Sequence, residues 1–221
     1  MTPGRLLPPG PLVAFYADDF TGSSASMEVL AFAGLPTVLF LDPPSLTRLE
    51  AFRAYRGIGI AGTARACAPA WMDEHLPPAF HLLVQTGAPV LDRHPTMSRH
   101  PTTPMDEADL HRHLGRQTHH RTGLVDFVAM KRGEATQQLQ KALADGADIV
   151  SIDVLDRETL VEAGRLIWEF GGDRMFGVGS QGFEAALVAW WQHNGLLPVS
   201  QAPPIPARRR VLPASPARSL R

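Results

Sequence analysis

Two adjacent carboxylates, Asp18 and Asp19, followed by Thr21 and Gly22, are the residues of this chain best placed to do chemistry. They follow the apolar run Leu12-Val13-Ala14-Phe15-Tyr16, which reads as a buried parallel strand. They precede a helical pattern over 23–33 that closes on Gly34. The pair therefore sits at the carboxyl end of a strand and at the mouth of a helix, where open α/β sheets bind ligands. A helix start needs one cap, and Asp19 or Thr21 can supply it. Two acids followed by Thr-Gly point beyond a cap, to a polar ligand or a metal.

Thr63 and Arg65 follow a β-rich run and fall on a loop at the same sheet edge. An arginine fork can hold a carboxylate through two hydrogen bonds, although a lone loop arginine is more often a surface charge. Gly177-Val178-Gly179-Ser180-Gln181-Gly182 is a glycine-rich strand-to-helix turn, a type that cradles anions with backbone N–H groups. It fits G-x-G-x-x-G only loosely, with no acid about 20 residues later on a following strand, so a dinucleotide site is a weak reading beside plain tight-turn glycines. His94-Pro95 and His100-Pro101 lie in a proline-rich stretch. Their spacing fits no zinc signature and Cys67 is alone, so no metal is expected and a binding or domain-closing loop is favoured. There, Thr103 or Asp106 can cap the next helix. His111, His113, His119 and His120 read as solvated, and Trp168, Trp190 and Trp191 as packing residues on late helices.

The elements that must position these groups alternate. Strands are expected at 12–17, 37–41, 57–61, 124–129, 149–153 and 176–178, and helices at 23–33, 45–54, 72–86, 107–118, 133–144, 157–170 and 183–194. Alternation of this kind argues for an α/β fold with a parallel sheet. Prolines forbid regular structure across 87–106. Residues 1–11 read as a tail, 12–197 as one domain, and 198–221, with Arg208-Arg209-Arg210, as a Pro/Arg-rich tail or linker. The chain has 221 residues, 44% hydrophobic and 19% charged, as a soluble globular domain requires. A net charge of −1 argues against a general nucleic-acid binder. A single cysteine fits a reducing, cytoplasmic compartment, and no run of about 18 apolar residues suggests a membrane span.

The stretch from Ala17 to Leu41 resembles the opening of the four-carbon acid sugar kinases, two-domain enzymes that use ATP to phosphorylate threonate, erythronate or 3-oxo-tetronate. Further motifs follow in order. Ala61-Gly62-Thr63-Ala64-Arg65 resembles the family's "AGT-x-R" loop. His100-Pro101-Thr102-Thr103-Pro104-Met105, running on to Asp109-Leu110, resembles its "HP-x-TPM-x-E-x-DL" segment. Gly179-Ser180-Gln181-Gly182 resembles its late "GSSG" turn, with Gln181 in place of the second serine. The family's lysine-cysteine-serine-threonine-phenylalanine-aspartate-serine block has no counterpart: Gly87-Ala88-Pro89-Val90 runs directly into Leu91-Asp92-Arg93-His94-Pro95.

The resemblance implies a single three-layer Rossmann-like α/β domain with a mostly parallel sheet, internally shortened near 87–106, which holds the sugar acid. It implies Asp18 and Asp19 as catalytic residues, one of them the base for the hydroxyl that receives phosphate. It implies Thr21, Thr63, Arg65, His100 and Thr103 as substrate contacts, with Gly179, Ser180 and Gly182 near the nucleotide. ATP and Mg²⁺ are the family's cofactors. They are expected to be bound through a separate nucleotide-binding domain rather than by this chain, which alone would be a very poor kinase or none. Self-association is the other expected partnership. The alternative is a non-enzymatic remnant that binds a small acid or a partner domain.

Overall fold

A computed structural model describes residues 7–64, 67, 97–99, 104, 106–107, 109–172 and 176–199. Strand β1 (Val13–Ala17) runs into helix α1 (Phe20–Phe32), followed by β2 (Thr37–Phe40), the short α2 (Leu46–Glu50) and β3 (Gly57–Ala61). All three strands are parallel, in the order β1-β3-β2, with Ala17 beside Ala61 and Phe40 beside Ile60. Helix α1 ends on a paired motif. Gly34, at φ +84°, donates to the Ala31 carbonyl, and the N–H of Leu35 reaches back to the Leu30 carbonyl. A residue with a Cβ is strained in that conformation.

Side-chain alternation along the strands assigns the two faces. Phe15 and Leu39 fill the space a Cβ on Gly59 would take, at 2.2 and 2.9 Å, and Leu30 of α1 crowds Gly57 on the same face. That face carries α1. Phe40 points the other way and meets Phe52 edge-on at 5.2 Å, so the chain after β2 covers the opposite face. Glycine on β3 lets α1 and the aromatic ring of β1 press close to the sheet.

After the turn at Met97–Arg99, the second half comprises α3 (Leu110–Gly115), β4 (Thr122–Val125), α4 (Phe127–Lys131), α5 (Ala135–Ala144), β5 (Ile149–Ile152), α6 (Arg157–Phe170) and α7 (Gly182–His193). Strands β4 and β5 pair in parallel. Helices α6 and α7 join the halves. Leu187, Val188 and Trp191 of α7 pack with Val13, Leu30 and Ala33, whereas Ala186 packs with Val125, Leu139 and Leu166. Their approach is close: a Cβ on Gly164 would lie 2.0 Å from the Ala186 carbonyl oxygen. Trp168 and Trp191 meet edge-on at 5.4 Å and Trp190 packs against the same core, so all three late tryptophans pack as expected.

The α/β class and the parallel pairing stand. Among the described residues the strands divide into a three-stranded and a two-stranded sheet. Two local expectations are corrected. The run 124–129 is not one strand, because Asp126 ends β4 and caps α4 by accepting from the Ala129 N–H at 2.8 Å. Apolar periodicity cannot separate a short buried strand from a short buried helix, and the acid between them is the cue. Residues 176–178 form no ladder among the described residues and lead as irregular chain into α7. The helix expected at 72–86 lies outside the described residues.

Candidate functional site

Asp19 is the N-cap of α1. Its Oδ1 accepts the Gly22 N–H at 2.6 Å, and its carbonyl accepts the Ser23 hydroxyl at 2.6 Å. Asp18 is not the cap of α1; it is buried, with 8% exposure, and has a partner of its own. The strand therefore delivers two acids with separate work: one builds the helix start and the other is held beside it.

The β1–β3 ladder continues one step past the strands, the Gly62 N–H donating to the Ala17 carbonyl at 2.7 Å. In that register Gly62 and Thr63 flank Asp18 and Asp19 at the carboxyl edge. A Cβ at 62 would sit 2.1 Å from the Tyr16 hydroxyl oxygen, so the phenol lies directly against the backbone here. Burial holds the Tyr16 phenol above its usual range, and the negative charges of Asp18 and then Cys67 add to the effect. Tyr16, Asp18 and Cys67 thus share one electrostatic environment. Thr63 is exposed on this edge, and its carbonyl accepts from the Cys67 thiol at 3.5 Å. Thr21 is exposed in the first turn of α1.

The late glycine turn reaches the same edge through a buried acid that sequence reasoning passed over. Glu184, in the first turn of α7, is 6% exposed and bonded to the Ser26 hydroxyl of α1. Beyond that contact Leu30 and Ala33 share a core with Val188 and Trp191, so α1 and α7 run side by side in one direction. Both helix starts consequently lie at one end. Gln181 caps α7 without a side-chain bond, and Gly179 and Ser180 are exposed ahead of it. Among the described residues the Gly182 N–H has a 3.5 Å contact to the Ser180 hydroxyl. Such a start can receive an anion. Burial raises the Glu184 carboxyl, opposed by its own backbone N–H and by Ser26. Its Oε2 has no partner among the described residues. An acid ahead of the apolar run Ala185–Trp191 was the available signal.

The second sheet has a carboxyl edge of its own, with Asp126 and Asp153 after β4 and β5. Asp126 is lowered by its bond to Gln138 and by the Ala129 N–H, while burial raises Asp153, opposed by the Phe127 N–H and reinforced by Asp126 and Asp109. Among the described residues no three His, Cys, Asp or Glu side chains converge to hold a metal. Likewise, no helix among them is long and apolar enough to cross a membrane. Arg65, His100 and Thr103 lie outside the described residues.

The comparisons with known proteins point to one family. The profile described as "Sugar-binding N-terminal domain" matches residues 13–91 and 81–187. The two pieces meet beside the place where the kinase block has no counterpart. A 3-oxo-isoapionate kinase from Paraburkholderia graminis is 37% identical over 262 residues, covering 90% of this chain and 55% of the relative. That alignment is longer than the chain, so part of the relative has no counterpart here. A Salmonella typhimurium protein described as a putative tRNA synthase superposes with TM-score 0.64 at 17% identity, over 84% of this chain and 57% of its own. A Haemophilus influenzae protein of the DUF1537 family gives 0.60 at 19%, over 82% and 56%. A Bordetella bronchiseptica DUF1537 domain, a domain-swapped dimer with bound citrate, gives 0.56 at 19%, over 83% and 57%. At these identities the solved structures speak for the fold, and the chain spans about half the length of the relatives it matches. With the profile spread across most of the chain and a curated kinase above one-third identity, this protein belongs to the family of sugar-binding N-terminal domains of the four-carbon acid sugar kinases.

Proposed function

We propose that this chain is the acid-binding part of a kinase that moves the γ-phosphate of ATP, with Mg²⁺, onto a hydroxyl of a short-chain sugar acid. The observation that carries the reading is the division of labour at the end of β1. Asp19 is committed to the Gly22 N–H as the cap of α1, while Asp18, which is not that cap, is buried at the carboxyl edge of the sheet. Asp18 is the proton acceptor for the attacking hydroxyl, the role phosphoryl transfer needs once charge and position are arranged. Asp19 and Thr21 contact sugar hydroxyls, and Thr63 and Arg65 take the carboxylate, Arg65 by its fork. His100 and Thr103 complete the substrate contacts. The α7 start at Gly179, Ser180 and Gly182 faces the phosphate side, where its N–H groups suit the nucleotide end. The nucleotide itself is presented by a separate nucleotide-binding domain. The relative's printed activity makes 3-oxo-isoapionate the first acid to try, followed by threonate and erythronate.

Isothermal titration with the three acids, then an ATP-coupled assay with and without a nucleotide-binding domain from a full-length relative, tests the proposal. The expected result is binding of at least one acid by this chain and transfer only when that domain is added. No binding of any of them at tens of millimolar, about ten times a weak millimolar site, removes the acid-binding assignment. Binding that persists without transfer in any combination favours a non-enzymatic acid-binding protein.

A further inference from the structure

Gly59 and Gly62 each leave room beside β1, and different groups fill it. A Cβ on Gly59 would meet carbon atoms, of Phe15 at 2.2 Å and of Leu39 at 2.9 Å. A Cβ on Gly62 would meet the hydroxyl end of Tyr16, with Oη at 2.1 Å, Cζ at 2.3 Å and Cε2 at 2.7 Å. Tyr16 stands opposite Ile60 in the β1–β3 register, two positions short of Gly62. The ring therefore leans along the sheet by about 6.6 Å, two residues of rise, toward the carboxyl edge. Continuing the alternation of β1 puts Asp18 on the side of Tyr16, and the charge of Asp18 is felt at the phenol.

The corner that follows is pinned on its other side. Ala64 is 2% exposed and its carbonyl accepts the Cys67 N–H at 2.9 Å. Thr63 is thus presented to solvent between two fixed points, Gly62 under the phenol and the buried Ala64. Packing alone does not call for a hydroxyl in that place, because Phe15 fills the space at Gly59 without one. A ring with a polar end suits an edge where polar ligands bind.

We propose that Tyr16 is a positioning residue of the acid site: its phenol occupies the side-chain space of Gly62 and sets the gap between Asp18 and Thr63 across which the substrate lies. The inference rests on the acid-binding reading of this edge and adds a residue to it. Asp18 and Thr63 follow different strands, so their separation depends on what is wedged at Gly62. Among the described residues Asp18 and Cys67 are the charged groups that act on the phenol. Ionising it would put a negative charge beside Asp18, where an anionic substrate is held, and would repel that substrate.

Amide hydrogen exchange and isothermal titration with 3-oxo-isoapionate and threonate test this on the whole chain. Tyr16→Leu should speed exchange at residues 62–64 at least about tenfold. Exchange at Gly123 and Leu124 of β4 should stay as it is, which shows that the variant is folded. Gly62 lies outside the left-handed region, so Gly62→Ala meets the ring rather than backbone strain and pushes the phenol aside without removing it. Each variant should weaken acid binding at least about tenfold. Binding by the parent should also weaken at alkaline pH as the phenol ionises. Tyr16→Phe should abolish that loss and Cys67→Ser should keep it, whereas a ring that merely packs would leave the pH profile alone. Unchanged exchange at 62–64 in Tyr16→Leu, acid binding untouched by either variant, or an alkaline loss that survives Tyr16→Phe overturns the proposal. If neither acid binds, the acid-binding reading falls by itself, and exchange alone decides whether Tyr16 holds this corner.

Discussion

The ends of β1 and β4 use the same device with different inventories. At β4 a single acid, Asp126, follows the strand, and both its oxygens are spent, one on the Ala129 N–H and the other on the Gln138 amide. At β1 two acids follow, and Asp19 alone does the capping. The end of β5 is intermediate: Asp156 caps α6 through a reciprocal box with Thr159, while Asp153 is half-buried behind it. A cap accounts for one carboxylate at each strand end. The second carboxylate at β1 is not that cap, and it sits at the carboxyl edge, where open α/β sheets bind ligands.

The largest expected effect breaks this comparison directly. Asp18→Asn keeps the shape and removes the charge, so acid binding and any phosphoryl transfer should fall at least about 100-fold, the equivalent of two lost charged hydrogen bonds. The Tyr16 phenol should titrate lower once the charge of Asp18 is gone, while burial still holds it up. Calorimetry and a tyrosine absorbance titration read both. Binding unchanged by Asp18→Asn would show that the buried acid is structural.

The capping acids give the next effect and a contrast. Asp19→Ala and Asp126→Ala should each cost roughly 1 kcal/mol of stability, the usual worth of an N-cap. Only the Asp19 variant should also weaken acid binding. Urea unfolding with parallel titration compares them, and equal losses of binding would dissolve the distinction between the two strand ends.

Much of this was legible in the residues. The strand, the two acids and the glycine stop of α1 are local signals, and each capping acid precedes its helix by one position. Helix 157–170 was legible to the residue, because a capping box at Asp156 starts it and its apolar stripe is regular. What could not be read was long-range. Nothing near Phe183 states that Glu184 will lie against Ser26, 158 residues earlier, nor that α7 will serve two cores at once. The irregular path of 176–178 also escaped, since a short apolar run flanked by glycine reads the same whether or not a neighbouring strand accepts it.

Glu184 supplies a smaller, pH-dependent effect. Burial raises its carboxyl, so the folded protein binds this proton more tightly than the unfolded chain. Its contribution is most favourable below the ordinary carboxyl value and is lost as pH rises through the raised folded value. Glu184→Gln removes that dependence and should be more stable than the parent at pH 8 by on the order of 1 kcal/mol, the cost of a charge held in a buried site, with little difference near pH 4. Melting curves across pH decide it, and an advantage for Glu184→Gln confined to low pH would reverse the assignment.

The smallest effect belongs to the end of β5, where the cap itself is engaged by a surface cation. Lys131 binds both Asp156, at 2.7 Å, and Glu158, and the Lys131 bond ahead of the Thr159 N–H holds the Asp156 carboxyl down to about 2. A lowered carboxyl stabilises the fold above its unfolded value and loses that contribution as pH falls toward 2. All three side chains are substantially solvent-exposed, so screening leaves little net stability in the network. Lys131→Met should therefore raise the Asp156 titration, followed by carboxyl NMR, with no resolvable change in melting temperature at neutral pH. The Thr159 N–H and hydroxyl remain, so the carboxyl should stop short of its ordinary value. If Asp156 stays near 2 without Lys131, the cap alone sets it. The cation would then be a bystander, and the end of β5 would resemble β4, where Gln138 and the capped N–H lead the lowering of the acid.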